Sequence, residues 1–376
     1  MILHITNDYS GSTVYKNLVK NLDDLHVSQI VYTPVREAAR LDKNKIDLKS
    51  DHSEIIYRHI LSKYADRILY QKKVKKIISD IESKVDLSKI RFIHAHTWYS
   101  DGGVAYELHK KYKIPFIVAI RNTDLNLFLK YFLHERSYGR EILLAADKII
   151  TISTVYKNRM SDDKRLAPII LEIKNKITVI PNGVDPYWID SKVSVRKQID
   201  NKDVIQLLYI GKFDKGKNVV NLVNAVKNLN KNSTNNFVLT LIGGKGNSEK
   251  RVLSAIKDQS CFNYVGRVDD LTELKRYFQK SDIFTMPSKA ETFGLVYMEA
   301  LLQGLPILYT KNEGIDGLYE DLIGEKVENT SVREIENKIQ LLLSNYNHYN
   351  FSIEKFSKNH DWKRIAEVYR QLYIQQ

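Results

Sequence analysis

The stretch Pro287-Ser288-Lys289-Ala290-Glu291-Thr292-Phe293-Gly294-Leu295-Val296-Tyr297-Met298-Glu299-Ala300, followed by Gly304-Leu305-Pro306, decides how the chain is read. The run before it, Ser281 to Met286, reads as a short buried strand that stops at Pro287. After Gly294, the apolar residues Leu295, Met298, Leu301 and Leu302 fall at helical spacing. Glu291 is therefore expected on a loop at the C-terminal edge of a strand, and Glu299 about two turns into the next helix. Backbone N–H groups of Thr292, Phe293, Gly294 and Leu295 would point out of that helix's N-terminus and seat a phosphate. A carboxylate further along the helix can bind neutral sugar hydroxyls without competing for the phosphate. The pattern suits a nucleotide diphosphate-sugar.

This spacing and its flanks resemble the Glu-x7-Glu motif of the family 4 retaining glycosyltransferases, which have the GT-B fold. The resemblance implies an α/β architecture of two Rossmann-like, doubly wound domains facing across a cleft. It places Glu299 on the donor ribose and Glu291 near the transferred sugar. Spacing alone is equally consistent with two unrelated surface acids. The Pro-Ser, Thr-Phe-Gly-Leu, Glu-Ala and Gly-Leu-Pro context weighs against that plainer reading.

The rest of the chain fits. Its 376 residues suffice for two domains. Strand-like runs alternate with helical patterns: residues 1–6, 27–33, 92–96, 116–120, 148–152 and 177–180, then 205–210, 238–242, 283–286 and 307–309. Such alternation predicts parallel sheets covered by helices. Pro181-Asn182-Gly183-Val184-Asp185-Pro186 and the polar stretch to Asp203 punctuate the chain and resemble the family's interdomain linker. We therefore expect an N-terminal acceptor domain over residues 1–185 and a donor domain over 186–355. A C-terminal helix over 356–376 would pack back on the first domain, as it does in GT-B proteins.

A second donor motif precedes the glutamates. After the strand 205–210, Lys212 and Lys217 flank a strand-to-helix turn, where cations can stabilise a departing diphosphate. Relatives usually carry arginine at the first position. Lys212 keeps the charge but lacks the bidentate fork. A solvated Lys-rich loop is the alternative. By the same resemblance Glu291, Lys212 and Lys217 form the catalytic set. Gly243, in a glycine-rich turn, and Arg267, in a segment that commonly faces the base, join the donor site with Gly11 and Ser12.

In the N-terminal half, His94 and His96 share one side of a strand. Lacking a third ligand in the sequence, they are read as hydrogen-bonding groups, with no metal expected. His96, Arg121, Asn122 and Asp124 are expected to line the acceptor or sugar cleft. Many relatives have His-Gly-x-Asp where this chain has Arg121-Asn122-Thr123-Asp124. An arginine cannot serve as a general base. It can hold a phosphate or an acidic sugar, or simply pair with a neighbouring acid.

The formal charge is +13. Between residues 57 and 91, apolar Tyr57, Ile60, Leu61, Tyr64, Ile68, Val74, Ile77, Ile78 and Ile81 run at helical spacing among Arg58, Lys63, Arg67, Lys72, Lys73, Lys75 and Lys76. A basic amphipathic helix can lie on anionic lipid; it can equally bury its apolar side in a core. There is no run of about 18 apolar residues, no secretory signal is evident, and Cys261 is the single cysteine. These point to a cytoplasmic location, peripheral to the membrane if the basic helix binds lipid. The expected partners are a UDP- or GDP-linked sugar donor and a glycan or lipid-linked acceptor, with no cofactor and no nucleic acid. Two alternatives stay open: a sugar-nucleotide hydrolase or epimerase on the same fold, and a basic nucleic-acid-binding protein.

Overall fold

The computed structural model of the chain describes residues 1–199 and 202–374. Asp200 and Asn201 of the expected linker, the last two residues of the expected C-terminal helix and the side chain of Arg67 lie outside the described residues. The chain divides into two compact units. The first comprises Met1–Ile152, Tyr156–Gly183 and the segment from Trp362 on; the second is Val184–Asp361 with Ser153–Val155.

In the first unit the described strands are β1 (Ile2–Ile5), β2 (Gln29–Val35), β3 (Glu54–His59), β4 (Phe92–Ala95), β5 (Phe116–Ala119), β6 (Lys148–Thr151) and β7 (Ile177–Val179). They pair in parallel in the order β3-β2-β1-β4-β5-β6-β7. Near-continuous apolar runs form the inner strands because both sheet faces are covered. Successive residues serve opposite faces. Leu3 and Ile93 pack with Val74, Ile77 and Ile81 of the helix Tyr70–Lys84. Ile2 and Phe92 pack with Leu18 and Leu22 of the helix Thr13–Asp24 and with Trp362, Ile365 and Tyr369 of the helix Trp362–Ile374. Gly183 admits the Trp362 ring: a Cβ there would sit 2.6 Å from it.

The second unit holds β8 (Val204–Lys212), β9 (Asn236–Gly244), β10 (Phe262–Gly266), β11 (Ile283–Thr285), β12 (Ile307–Thr310) and β13 (Gly324–Val327), parallel in the order β10-β9-β8-β11-β12-β13. All ten strands expected from the sequence are present. The three that were not expected, β3, β10 and β13, are sheet edges. An edge strand is half solvated and carries no continuous apolar run, so its sequence is mixed.

Three expectations change. Tyr57 lies on β3 and Ile60 just beyond it, so the helical stripe begins only after them, and its Val74, Ile77 and Ile81 are core. The expected C-terminal helix is broken: Ile353–Asn359 ends at His360, and a separate helix starts at Trp362. The polar stretch after Pro186 is not a free linker. Arg196 donates to the carbonyls of Gly304, Tyr346 and Tyr349. Lys197 and Lys202 both bind the buried Asp282 carboxylate, at 2.6 and 2.5 Å. Polar composition looked like a linker because each of these cations has its partner far away in sequence.

Candidate functional site

In the second unit, β11 ends at Thr285 and the chain runs through Pro287 to Gly294 before the helix Leu295–Leu302. Gly294 is the helix N-cap at φ 75°, and a Cβ there would meet the Tyr297 ring at 2.5 Å. Only glycine fits that turn. The helix begins at Leu295, so its first N–H groups lack intrahelical partners, whereas the Thr292 N–H, one of the expected phosphate donors, is taken by Glu291 Oε1. Because it starts there, Glu299 lies just over one turn in, not two.

Glu291 is buried on this loop. Its backbone N–H donates to Glu313 Oε2 (2.7 Å), its carbonyl accepts from the Gly314 N–H (3.0 Å), and its Oε1 accepts from the Thr292 N–H (2.9 Å). Oε2 forms an ion pair with the Lys217 ammonium. The Lys289 N–H donates to the Gly216 carbonyl at 2.7 Å, which ties the Glu291 loop to the Lys215–Lys217 turn. Thus two expected catalytic groups, 74 residues apart, form one unit. Lys212 ends β8 and is exposed; its carbonyl, not its ammonium, is engaged, by Tyr209 Oη at 2.7 Å. Gly211 pairs with Gly243 across β8 and β9, and a Cβ on Gly243 would sit 2.1 Å from the Gly211 carbonyl oxygen.

Glu299 keeps some solvent exposure, yet enough protein surrounds its carboxyl that burial, with Asp185 nearby, raises it to about 7. A carboxylate so placed gains from hydroxyl donors. Phe293 is buried against His360, ring centroids 5.6 Å apart, so only its backbone can serve a ligand. Arg267 is exposed and paired with Asp269 at 2.7 Å. The sequence reading missed Glu313 and Asp185. Glu313-Gly314 follows β12, the strand next to β11, so an acid just beyond a neighbouring strand was the available signal.

In the first unit, Ser12 caps the helix Thr13–Asp24 through Val14 N–H (3.3 Å), and Gly11 lies so close to Asp8 that a Cβ would be 2.1 Å from its Oδ1. Asp124 is fully buried. Its oxygens accept from the N–H groups of Trp98 (3.0 Å), Tyr99 (3.1 Å) and Arg121 (2.8 Å). Burial still raises its carboxyl to about 6. It is a strut joining the loops after β4 and β5, which corrects the expectation that it lines an open site. Arg121 donates from Nε to the His96 carbonyl (3.1 Å) and stacks over Tyr15, 5.6 Å from its centroid. The alternative reading, a pair with a neighbouring acid's side chain, is not what forms: Asp124 takes the Arg121 backbone N–H. Asn122 Oδ1 accepts from Asn126 at 2.5 Å.

The histidines also differ from expectation. His4 on β1 joins His94 and His96 of the adjacent β4 segment, with one ring nitrogen from each within 4.8 Å of the others. His96 is therefore buried rather than open to a ligand. His4 Nδ1 and His96 Nε2 share a hydrogen bond of 3.0 Å, and His94 Nδ1 meets Tyr373 Oη at 2.8 Å. The rings stack, His94 on His96 at 3.9 Å and 27°, His4 on His96 at 5.3 Å and 22°. His4 and His94 are tilted by 48°, and two of the ring nitrogens are engaged with each other and a third with Tyr373, so the cluster is described by its hydrogen bonds. Burial holds all three neutral, His4 lowered to about 3.

Nearby, Asp101 accepts from Asn7 N–H at 3.1 Å and from the Asn7 amide, while Lys73 donates to Ser100 Oγ at 2.9 Å. Burial depresses the Lys73 ammonium and raises the Asp101 carboxyl. Neither residue was singled out in the sequence, because a lysine on a basic helix gives no local sign that it is buried.

Comparison with known proteins agrees across both units. Residues 11–188 match the family model described as Glycosyltransferase Family 4, and residues 190–362 match Glycosyl transferases group 1. An uncharacterized glycosyltransferase of Methanocaldococcus jannaschii is 26% identical, over 96% of this chain and 94% of its own. The alpha-monoglucosyldiacylglycerol synthase of Acholeplasma laidlawii is 26% identical over 62% of each chain. The crystal structure of Anabaena HepE in complex with UDP-glucose has the same fold, with a TM-score of 0.67 and 14% identity, over 100% of this chain and 99% of that one.

Proposed function

This chain belongs to the family 4 glycosyltransferases, and on that premise we propose that it transfers a sugar, with retention of configuration, from a UDP- or GDP-linked donor to a glycan or lipid-linked acceptor. The setting we infer is assembly of a bacterial surface polysaccharide at the cytoplasmic face of the membrane. One observation carries the reading: Lys217, on the turn after β8, pairs with Glu291, on the loop that leads into the helix bearing Glu299. Cation, helix N-terminus and hydroxyl acceptor are the three chemistries a nucleotide diphosphate-sugar needs.

In the transfer, the bond from the anomeric carbon to the diphosphate oxygen breaks, and its electron pair leaves with the phosphate. The acceptor hydroxyl attacks from the same face, and its proton passes to the departing phosphate oxygen. Lys212, exposed at the end of β8, offers an uncommitted positive charge to that phosphate. Lys217 has three N–H donors, so it can keep Glu291 and still reach an anion. Glu291 positions the sugar, and Glu299 holds the ribose. No metal is needed in this scheme. The HepE complex with UDP-glucose supports the donor class, and the diacylglycerol-linked product named for the Acholeplasma relative supports a lipid acceptor.

The test is thermal shift against UDP-, GDP-, ADP- and CMP-sugars, with Glu299→Ala alongside. Stabilisation by one nucleotide class, lost in the variant, is expected. No stabilisation by any of them sinks the donor assignment. Product analysis without acceptor separates transfer from hydrolysis or epimerisation.

A further inference from the structure

The stripe that the sequence offers to a membrane is mostly core, but the fold exposes a different apolar surface. Tyr64 and Ile68 are 71% and 72% exposed, and Leu69 lies beside them. Tyr131 and Leu133 are 62% and 63% exposed, with Leu127 on the same segment. The first segment follows β3 and the second follows β5, so both leave the C-terminal edge of the parallel sheet. They are held side by side. Gln71 Nε2 donates to Glu135 Oε2 at 2.8 Å, and the Tyr70 ring packs on Phe128 with centroids 6.3 Å apart.

Within the two segments the exposed charge has one sign; beyond them Glu37 meets Lys63, and Glu82 and Glu107 line the groove at Lys75. Residues 63–76 and 126–136 contain two acids, Asp66 and Glu135, and both are buried. Asp66 accepts from the Ser62 N–H at 2.6 Å, and Glu135 is used by Gln71. Lys63, Lys72, Lys75, Lys76 and Lys130 are all exposed. Two of them make only long ion pairs, Lys63 to Glu37 at 3.8 Å and Lys76 to Asp66 at 3.7 Å. Six large apolar side chains held out of the core and set among lysines form a surface that wants both hydrocarbon and negative charge.

We propose that this patch docks the chain on an anionic lipid bilayer, with Tyr64, Ile68, Leu69, Leu127, Tyr131 and Leu133 entering the headgroup boundary and the lysines meeting lipid phosphates. A second copy of the chain fits less well, since a two-fold contact would set the basic rim against itself. The C-terminal edge of a parallel sheet is where such folds bind ligands. Docking there brings a lipid-linked acceptor to the first unit's binding edge; this consequence rests on the transferase reading, whereas the docking itself does not.

Sedimentation of the full chain with vesicles of phosphatidylcholine, with and without phosphatidylglycerol, tests it. Binding to the anionic vesicles alone is expected. The Ile68→Ser/Leu133→Ser variant should bind them about tenfold or more weakly, since two buried apolar side chains are lost. Lys72→Glu/Lys130→Glu should lose binding at low salt as well. Donor stabilisation in the thermal-shift assay stays unchanged in both variants. Wild-type protein that stays in the supernatant with anionic vesicles overturns the proposal, even where donor binding is intact. So does a concentration-dependent dimer that Ile68→Ser/Leu133→Ser abolishes, with vesicle binding unaffected.

Discussion

Replacing His4 by asparagine will make the first unit less sensitive to acid. His4 is fully buried and burial alone lowers its pKa from 6.5 to about 3. As pH falls, the unfolded chain therefore takes up this proton first. Stability from the neutral ring is complete above 6.5 and drains away as pH falls toward 3. From about pH 7.5 to about pH 5.5 the loss is roughly 1 kcal/mol for His4. His94 and His96, also held neutral by burial, add losses of the same sign. Two carboxyls oppose them. Burial raises the Asp101 and Asp124 carboxyls, so both gain stability over the same interval. The wild-type slope thus mixes contributions of opposite sign and decides little.

The difference between wild type and His4→Asn is cleaner, because the carboxyls are common to both. An asparagine amide can stand where Nδ1 now meets His96, and burial, the largest cause for His94 and His96, stays in place. Urea unfolding at the two pH values, followed by tryptophan fluorescence, reads the effect. Trp98 and Trp362 report on the first unit and Trp188 on the second. Wild type should lose roughly 1 kcal/mol more than the variant across the interval. Equal losses would refute the reasoning, since they would mean that His4 already carries its proton or its water in the fold.

Other changes should separate structural from chemical roles. Lys217→Met strands the buried Glu291 carboxylate and should destabilise the second unit by about 2 kcal/mol. Adding Glu291→Gln should return most of that stability without restoring transfer; a double variant no more stable than the single one would count against the pair. Donor affinity should weaken as pH falls through about 7, where Glu299 protonates, by at most about tenfold per unit. Calorimetry of Glu299→Gln should show a flat profile, and a profile parallel to wild type would assign the titration elsewhere. Asp124→Ala leaves three backbone N–H groups without their acceptor and should cost about 3 kcal/mol in urea melts. A loss of activity at unchanged stability would instead make Asp124 a ligand residue.

Much of the fold was legible because burial on two faces writes itself locally. Ile2 to Ile5, Phe116 to Ala119 and Ile307 to Thr310 are strands at the centre of sheets or next to it, and their apolar runs say so. Gly294 before Leu295 and the acids at 291 and 299 placed a helix N-terminus between two carboxylates from the sequence alone. Edge strands were not legible: Glu54–His59 and Gly324–Val327 carry charges because one side of each has no neighbour.

What the sequence determined by itself is the α/β class, the inner strands and a helix start between Glu291 and Glu299, all properties of residues within a turn or two of one another. Tertiary structure alone decided which distant groups meet: Lys217 with Glu291, His4 with His96, Lys73 beside Asp101 at the edge of a sheet. Parallel strands joined by helical crossovers bring together residues dozens of positions apart, and no local pattern encodes the register that does so. That register buried Asp124 as a strut and left Ile68 and Leu133 outside, because exposure is a property of the neighbours a residue ends up with.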